Sequence, residues 1–384
     1  MLEIHRFVAL HFVALAIAIF SHPGANFAMA TMRVVPPTPP PGTLQTTILV
    51  VGANPAIQKT LTIPATLLPG EVHRATSVQE GVGGKGQNVA IALRQAIVEG
   101  KLSSAEVCLH QFAGKNNVGK LMSLLPTTGS RWKVKTTEID GATRTCTTIV
   151  DIKGEATEVI EPTGSVSGGD VKSFLEGLPG RACDVLILMG SVPRGTGEGF
   201  YGEIAKRVSG ENTTIIIDVG SADLVKGLLQ KEGLTAKFVI LKCNKNEIEK
   251  MANSGGMVDG VLATMREWEG KLDAALITDG GRECLFAEQL RGEVKLKTLG
   301  IPKVQVKNAI GAGDCVAAGF GWALANKGKG KKDEGEGEGE GEGEGEGGIL
   351  EDAAKFGILV GAAGCSSEIC SGYDKEVLER LLGA

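Results

Sequence analysis

The sequence predicts an α/β protein built on a doubly wound, mainly parallel sheet with helices on both faces and a small β-sheet lid. Three observations lead there. Apolar, β-rich runs recur at TTILVV (46–51), DVLILMG (184–190), TTIIIDVG (213–220), KFVILKCN (237–244) and AALIT (274–278), and continuous runs of this kind mark strands covered on both faces. Segments of helical period lie among them, including VAIALRQAIV, GDVKSFLEGL, GEGFYGEIAKRV and NEIEKMANS, and strand–helix alternation implies parallel pairing. Two further segments, IQKTLTIPATLLPGEVHRATS and RTCTTIVDIKGEATEVI, alternate with period 2 instead, and KGE in the second reads as a hairpin turn. These form the lid, expected over about 55–80 and 140–162.

In chain order, LEIHR precedes a short apolar run, FVALHFVALAIAIF, and then SHPGANFAMA. Residues 1–30 are therefore expected to be a targeting segment, too short in its apolar part for a comfortable membrane span. A secretory-type signal leading to a plastid is one reading; a true start at Met29 or Met32, giving a cytoplasmic chain, is the other. Residues 31–45 contain VVPPTPPPG, an extended proline-rich linker. The main folded domain is expected over 46–384. KGKGKKDEGEGEGEGEGEGEGG interrupts it at 327–348 between two helical patterns, GDCVAAGFGWALAN and ILEDAAKFGILVGAAG. Repeated glutamates repel and nothing apolar is there to bury, so this insertion is expected to be disordered.

Composition narrows the function. The 384 residues are 42% hydrophobic, enough for a sizeable core, and the net charge of −5 with 4% aromatics argues against a nucleic-acid partner. The eight cysteines form no CxxC pair, and no histidine stands at metal-ligand spacing, which disfavours zinc. The expected partner is a small molecule, with no membrane association of the mature chain.

Ligands on a parallel sheet bind at the carboxyl ends of its strands. GVGGKGQN (81–88) satisfies G-x-G-x-x-G formally, but polar EVHRATSVQE precedes it where a dinucleotide fold needs a strand, and its lysine is misplaced for a P-loop. NAIGAGDCVAAGFGWAL (308–324) is more telling. Gly311, Ala312 and Gly313 make a small-residue turn before a helix, whose amides and dipole suit an anion. Asp314 stands at the helix start as an acceptor. Taken alone, this is equally an N-cap after a glycine turn.

GGKGQN, NKNE and GAGD in that order resemble the signatures of the PfkB (ribokinase-like) carbohydrate kinases. NPAIQKT, GEVHRA, GGKGQNVAIAL, TRTCTTIVD, MGSVPRG and IDVGSADL resemble the 1-phosphofructokinase and tagatose-6-phosphate kinase branch. The resemblance implies a ribokinase-like fold, ATP and Mg²⁺, and phosphoryl transfer to a hydroxyl of a hexose phosphate such as fructose 1-phosphate or a tagatose 6-phosphate-like sugar. It implies Asp314 as base and residues 311–313 as the anion turn. Asn54, Gln58, Gly83, Gly84, Lys85, Asn88 and Arg144 would hold the acceptor, Lys85 and Arg144 facing its phosphate and Asn88 a sugar hydroxyl. Asn244, Glu247, Thr278 and Gly280 would serve the nucleotide, with Glu247 organising Mg²⁺ through water, and the lid would pair two subunits. A kinase of a neutral sugar or nucleoside, and a catalytically weak scaffold or regulatory protein, are the alternatives. The chain departs from the family pattern at Gln58, where an aspartate is usual, at Glu283, where a glycine is frequent, and in GCSSEICSGYD near the C-terminus.

Overall fold

A computed structural model describes residues 46–327 and 347–383 of the chain. The expected targeting segment and linker lie outside the described residues, as does all but the margins of the Gly-Glu insertion.

A nine-stranded sheet forms the body, in the order β13-β12-β11-β10-β9-β8-β1-β4-β5. Its strands are β1 (Thr46–Val51), β4 (Ala105–Gly114), β5 (Trp132–Ile139), β8 (Val185–Met189), β9 (Thr214–Asp218), β10 (Phe238–Asn244), β11 (Ala274–Thr278), β12 (Cys284–Leu290) and β13 (Glu293–Leu299). Pairing is parallel from β5 through to β11; β12 and β13 add an antiparallel edge. The apolar runs are continuous because both faces are covered. Along β1, Ile48 and Val50 join one core while Leu49 and Val51 join the other, as period-2 alternation requires.

The first core lies under α1 (Lys85–Val98), α8 (Ala312–Lys327) and α9 (Gly347–Cys365), through residues such as Leu93, Phe320 and Ile358. The second lies under α3 (Gly168–Glu176), α4 (Phe200–Val208), α5 (Ala222–Leu229) and α7 (Met257–Glu267), through Phe174, Ile204, Leu228 and Met265. Strand order reverses at β1, with β4 and β5 on one side and β8 to β11 on the other. The crevice at the carboxyl ends beside that reversal is where a ligand fits.

The lid is a separate four-stranded sheet, β3-β2-β6-β7, from β2 (Ala56–Thr62), β3 (Ser77–Gly83), β6 (Thr145–Val150) and β7 (Ala156–Ile160). The KGE turn closes its β6–β7 hairpin, with Gly154 at positive φ and its amide donating to Asp151 O. Register puts Gln58 opposite Cys146, Cys146 opposite Ile160, and Thr148 opposite Glu158. Gln58, Cys146, Glu158 and Ile160 face the crevice. Among the described residues, no helix is long and apolar enough to cross a membrane.

Candidate active site

The crevice is a cleft of about 1040 Å³ between the strand ends and the lid. It gathers every site residue expected from the sequence except Gly83, which packs against Gln58 beside it. Two glycines are dictated by backbone geometry. Gly84 caps α1 at φ +108°, where a Cβ would stand 2.3 Å from Gln87 Oε1. Gly311 has φ +80°, and a Cβ there would lie 2.0 Å from the Cys370 carbonyl oxygen. An L side chain at either position is strained by its φ and obstructed by its neighbour.

Asp314 stands in the first turn of α8, whose N-terminal end, with the positive pole of its dipole, lines the cleft. Its Oδ2 accepts a 2.8 Å hydrogen bond from Asn88 Nδ2, and Asn88 Oδ1 accepts in turn from Ser371 Oγ at 2.9 Å. Burial, then repulsion from Asp218, pushes the Asp314 pKa up to about 6, against Lys242, the Asn88 hydrogen bond and Lys85. A carboxylate that titrates near neutrality suits a base removing a hydroxyl proton. The Asn88 amide thereby orients Asp314, while the residue lines the cleft where the resemblance implies a sugar contact. Cys315, the next residue, is buried, with its thiol toward Gly372 O, and packs as a small residue in the helix's first turn.

A row of charges runs along the cleft floor. Lys85 Nζ lies 2.7 Å from Asp218 Oδ1 and 2.7 Å from Glu247 Oε1, while Lys242 Nζ lies 2.6 Å from Asp218 Oδ2. Burial opposes the charge of each lysine, but the carboxylates prevail and raise both pKa values. Burial likewise opposes ionisation of Asp218, and Lys242 and Lys85 still hold its pKa below the usual carboxylate range. Lys85, expected to face the acceptor's phosphate, has its ammonium held by two carboxylates toward the Glu247 end of the cleft.

At the lid end of the cleft, Asn54 donates to Ser191 Oγ at 2.9 Å and accepts from Thr163 Oγ1 at 2.9 Å. Gln58 donates to Thr148 Oγ1 at 2.9 Å, and Glu158 Oε1 stands 3.5 Å from the same hydroxyl. Arg144 donates to the carbonyls of Asn54 (3.1 Å) and Pro55 (3.4 Å), which anchor its guanidinium at the cleft wall.

Asn244 and Glu247 bracket the first turn of α6 (Lys245–Met251) as a reciprocal capping box, each side chain accepting from the other's backbone amide at 2.9 Å. The N-x-x-E spacing is what a capping box needs, so one motif starts the helix and also places a carboxylate in the cleft. Thr278 ends β11, and Gly280 follows in a turn with φ +58°. Beyond it the cleft wall becomes apolar, with Ile301, Val304, Val306, Ile358 and Ala362 beside the Cys365 thiol.

The profile of the pfkB family carbohydrate kinases matches residues 45–374. The chain belongs to this family. Over 284 residues, 72% of this PfkB kinase and 83% of the relative, it is 26% identical to a 1-phosphofructokinase of Xanthomonas campestris pv. campestris. Phosphofructokinase-2 from Escherichia coli, solved in complex with potassium, superposes with TM-score 0.65 at 16% identity, covering 88% of the kinase and 99% of that chain. A possible 1-phosphofructokinase from Thermotoga maritima gives TM-score 0.65 at 18% identity over 87% and 96% of the two chains. These structures share the ribokinase-like fold, and the family makes the chain an ATP-dependent sugar kinase.

Three residues that shape the kinase's cleft escaped the sequence reading. Asp218 and Lys242 interrupt otherwise apolar strand runs, IIID and VILKC, and a charge within a buried strand is a signal that could have found them. Glu158 becomes visible only through lid register.

Proposed function

We propose that this kinase transfers the γ-phosphoryl of ATP to a hydroxyl of a hexose phosphate of the fructose 1-phosphate or tagatose 6-phosphate type, with Asp314 as base. The observation that carries this reading is Arg144. Its guanidinium is anchored at the acceptor end by two carbonyls, so its remaining donors are pre-oriented for phosphate oxygens without much loss of side-chain entropy. Asp314 takes the proton as the hydroxyl attacks, and the α8 amides stabilise charge on the phosphoryl. Asn88 holds the carboxylate in register, and the lid excludes water from the acceptor.

The residues fit Mg²⁺ held through water. Glu247 is the cleft's carboxylate on the nucleotide side, but its oxygens already accept from Lys85 and the Asn244 amide, so it would meet the ion's waters. Mg²⁺ keeps several waters when bound chiefly by phosphates. When present it would neutralise phosphate charge.

The test is acceptor-dependent ADP release by residues 44–384 across sugars and sugar phosphates. Turnover confined to a hexose phosphate, abolished by Asp314→Ala and cut about a hundredfold or more in kcat/KM by Arg144→Glu, is expected. A second reading, a neutral acceptor, is favoured by the engagement of Lys85 and by Glu158, whose carboxylate suits hydroxyls better than phosphate. It predicts turnover on neutral sugars and indifference to Arg144→Glu.

The lid's outer face supports pairing of two subunits. Val78 and Val159 are 56% and 58% exposed there; Val78 lies in register with Leu61 and Ile149, and Val159 in the next row of that face, opposite Thr147.

A further inference from the structure

The lid's inner face keeps its charged groups apart. Arg144 precedes β6, and Cys146 and Thr148 follow it at period 2, so the backbones of Arg144 and Thr148 stand about 13 Å apart. Register sets Gln58 and Ile160 beside Cys146, and Glu158 beside Thr148. Cys146 and Ile160 thus form an apolar row between the residue that carries a guanidinium and the one that carries a carboxylate. Arg144 donates to backbone carbonyls, and no ion pair joins it to Glu158 among the described residues. Both charges remain available to a ligand.

Gln58, by contrast, is withdrawn into the lid and only 8% exposed. Its Nε2 donates to Thr148 Oγ1 at 2.9 Å, and its Oε1 packs toward Gly83, where a Cβ would stand 3.1 Å away. The Thr148 hydroxyl is buried. Having accepted from Gln58, it turns its own proton toward Glu158 Oε1 at 3.5 Å. That separation is long for a hydrogen bond, so it aims the carboxylate without saturating it. Glu158 is exposed, lines the cleft, and pairs with no lysine or arginine among the described residues.

We propose that Glu158 is a specificity-determining residue that accepts hydrogen bonds from non-reacting hydroxyls of the acceptor, with the Gln58–Thr148 relay holding its carboxylate in place. Its two oxygens suit a pair of neighbouring hydroxyls, and its charge repels a phosphate from this end of the lid. The acceptor therefore lies with hydroxyls toward β7 and any phosphate toward Arg144. Glu158 stands on the lid, while Asp314 and the anion turn belong to the body. Its contacts are the same before and during transfer, so they set the acceptor KM and leave kcat alone.

This inference rests on the phosphotransfer reading above, and the experiment separates the two. The full chain, Glu158→Gln and the transposed pair Gln58→Glu/Glu158→Gln are compared on the best acceptor among fructose 1-phosphate, tagatose 6-phosphate, fructose and ribose. Acceptor KM, kcat, the Mg-ATP dissociation constant by calorimetry and the melting temperature are measured for each. Glu158 is exposed, so Glu158→Gln should fold as wild type does. The contact predicts an acceptor KM raised about tenfold or more in both variants, with kcat and the ATP dissociation constant within about twofold of wild type. The transposed pair keeps the lid's net charge but turns its carboxylate inward, so it should recover nothing. Monodeoxy analogues of the acceptor give a second readout: losing the hydroxyl that Glu158 holds should cost wild type about tenfold in KM and Glu158→Gln about twofold or less. An unchanged KM in Glu158→Gln, or recovery in the transposed pair, overturns the contact while leaving the kinase reading intact. So does a higher acceptor KM matched by weaker ATP binding and a lower melting temperature. Turnover of fructose or ribose alone overturns the phosphate of the proposed acceptor, and the same variants then decide Glu158 on that sugar. A wild-type chain that turns over no acceptor overturns both.

Discussion

Two buried titratable side chains make opposite predictions about pH. Asp314 must be ionised to accept a proton, and with its pKa pushed up to about 6, kcat/KM should fall tenfold per unit below that value. A pH–rate profile flat down to pH 4 would remove Asp314 as the base. Its ionisation also costs stability. The folded state holds this proton more tightly than the unfolded chain, so stability drops as pH rises from 3.8 to about 6. Asp314→Asn should therefore melt a few degrees higher at pH 7 while losing about a thousandfold or more in turnover. His110 behaves in the other sense. It is buried on β4 against Phe174, with ring centroids 4.0 Å apart and no hydrogen-bond partner for either nitrogen. Burial, with help from Lys135, lowers its pKa from 6.5 to about 4. The unfolded chain takes up this proton first, so stability is lost as pH falls from 6.5 toward 4, by up to about 3 kcal/mol. Denaturant titrations at pH 7 and pH 5 should show a smaller difference for His110→Leu than for wild type.

The start of α6 combines a structural and a functional demand that substitutions can part. Glutamine at 247 can still accept from the Asn244 amide and preserve the capping box, but it no longer neutralises Lys85. Glu247→Gln should keep its melting temperature within about two degrees and lose tenfold or more in turnover, whereas Glu247→Ala should lose about 1 kcal/mol of stability as well. Equal stability loss in both variants would show that the carboxylate's charge, rather than its cap, supports the helix. Several elements were illegible in the sequence for a related reason. β4 carries His110 and Gln111 in the interior, Gln111 satisfied by Gln87 across the core and His110 packed on Phe174, so its apolar pattern is broken by polar residues that the tertiary fold accommodates. β13 alternates with charged residues, as an antiparallel edge with one open face does, whereas β12 is a short buried run ended by Glu288 and Gln289.

At the scale of the molecule, the lid presents two faces of different chemistry. Its inner face presents Gln58 and Glu158 to the cleft, while its outer face exposes Val78 and Val159. If that face joins two copies, Val159→Lys should shift the mass measured by light scattering from dimer to monomer. It should also raise the acceptor KM several-fold with little effect on ATP binding. A monomeric wild-type chain at micromolar concentration would remove the assembly proposal and leave the cleft as described.

Period and order sufficed for much of this protein. Continuous apolar runs admit few solutions other than strands covered on both faces, and the GAGD turn before an apolar helix suits an anion, though alone it serves equally as a cap. NKNE similarly reads as the start of a helix from its own spacing. Which charges meet in the cleft could not be read this way. Lys85, Asp218 and Lys242 lie on elements far apart in the chain, and only the parallel order α1, β9, β10 brings their side chains onto one carboxylate. The same holds for Asn88, which meets Asp314 because α1 packs beside α8 and Ser371 donates to its carbonyl oxygen. Local pattern sets what each segment becomes. A side chain's role depends on the charges that distant segments bury beside it, because in a dry cleft the nearest partner dominates.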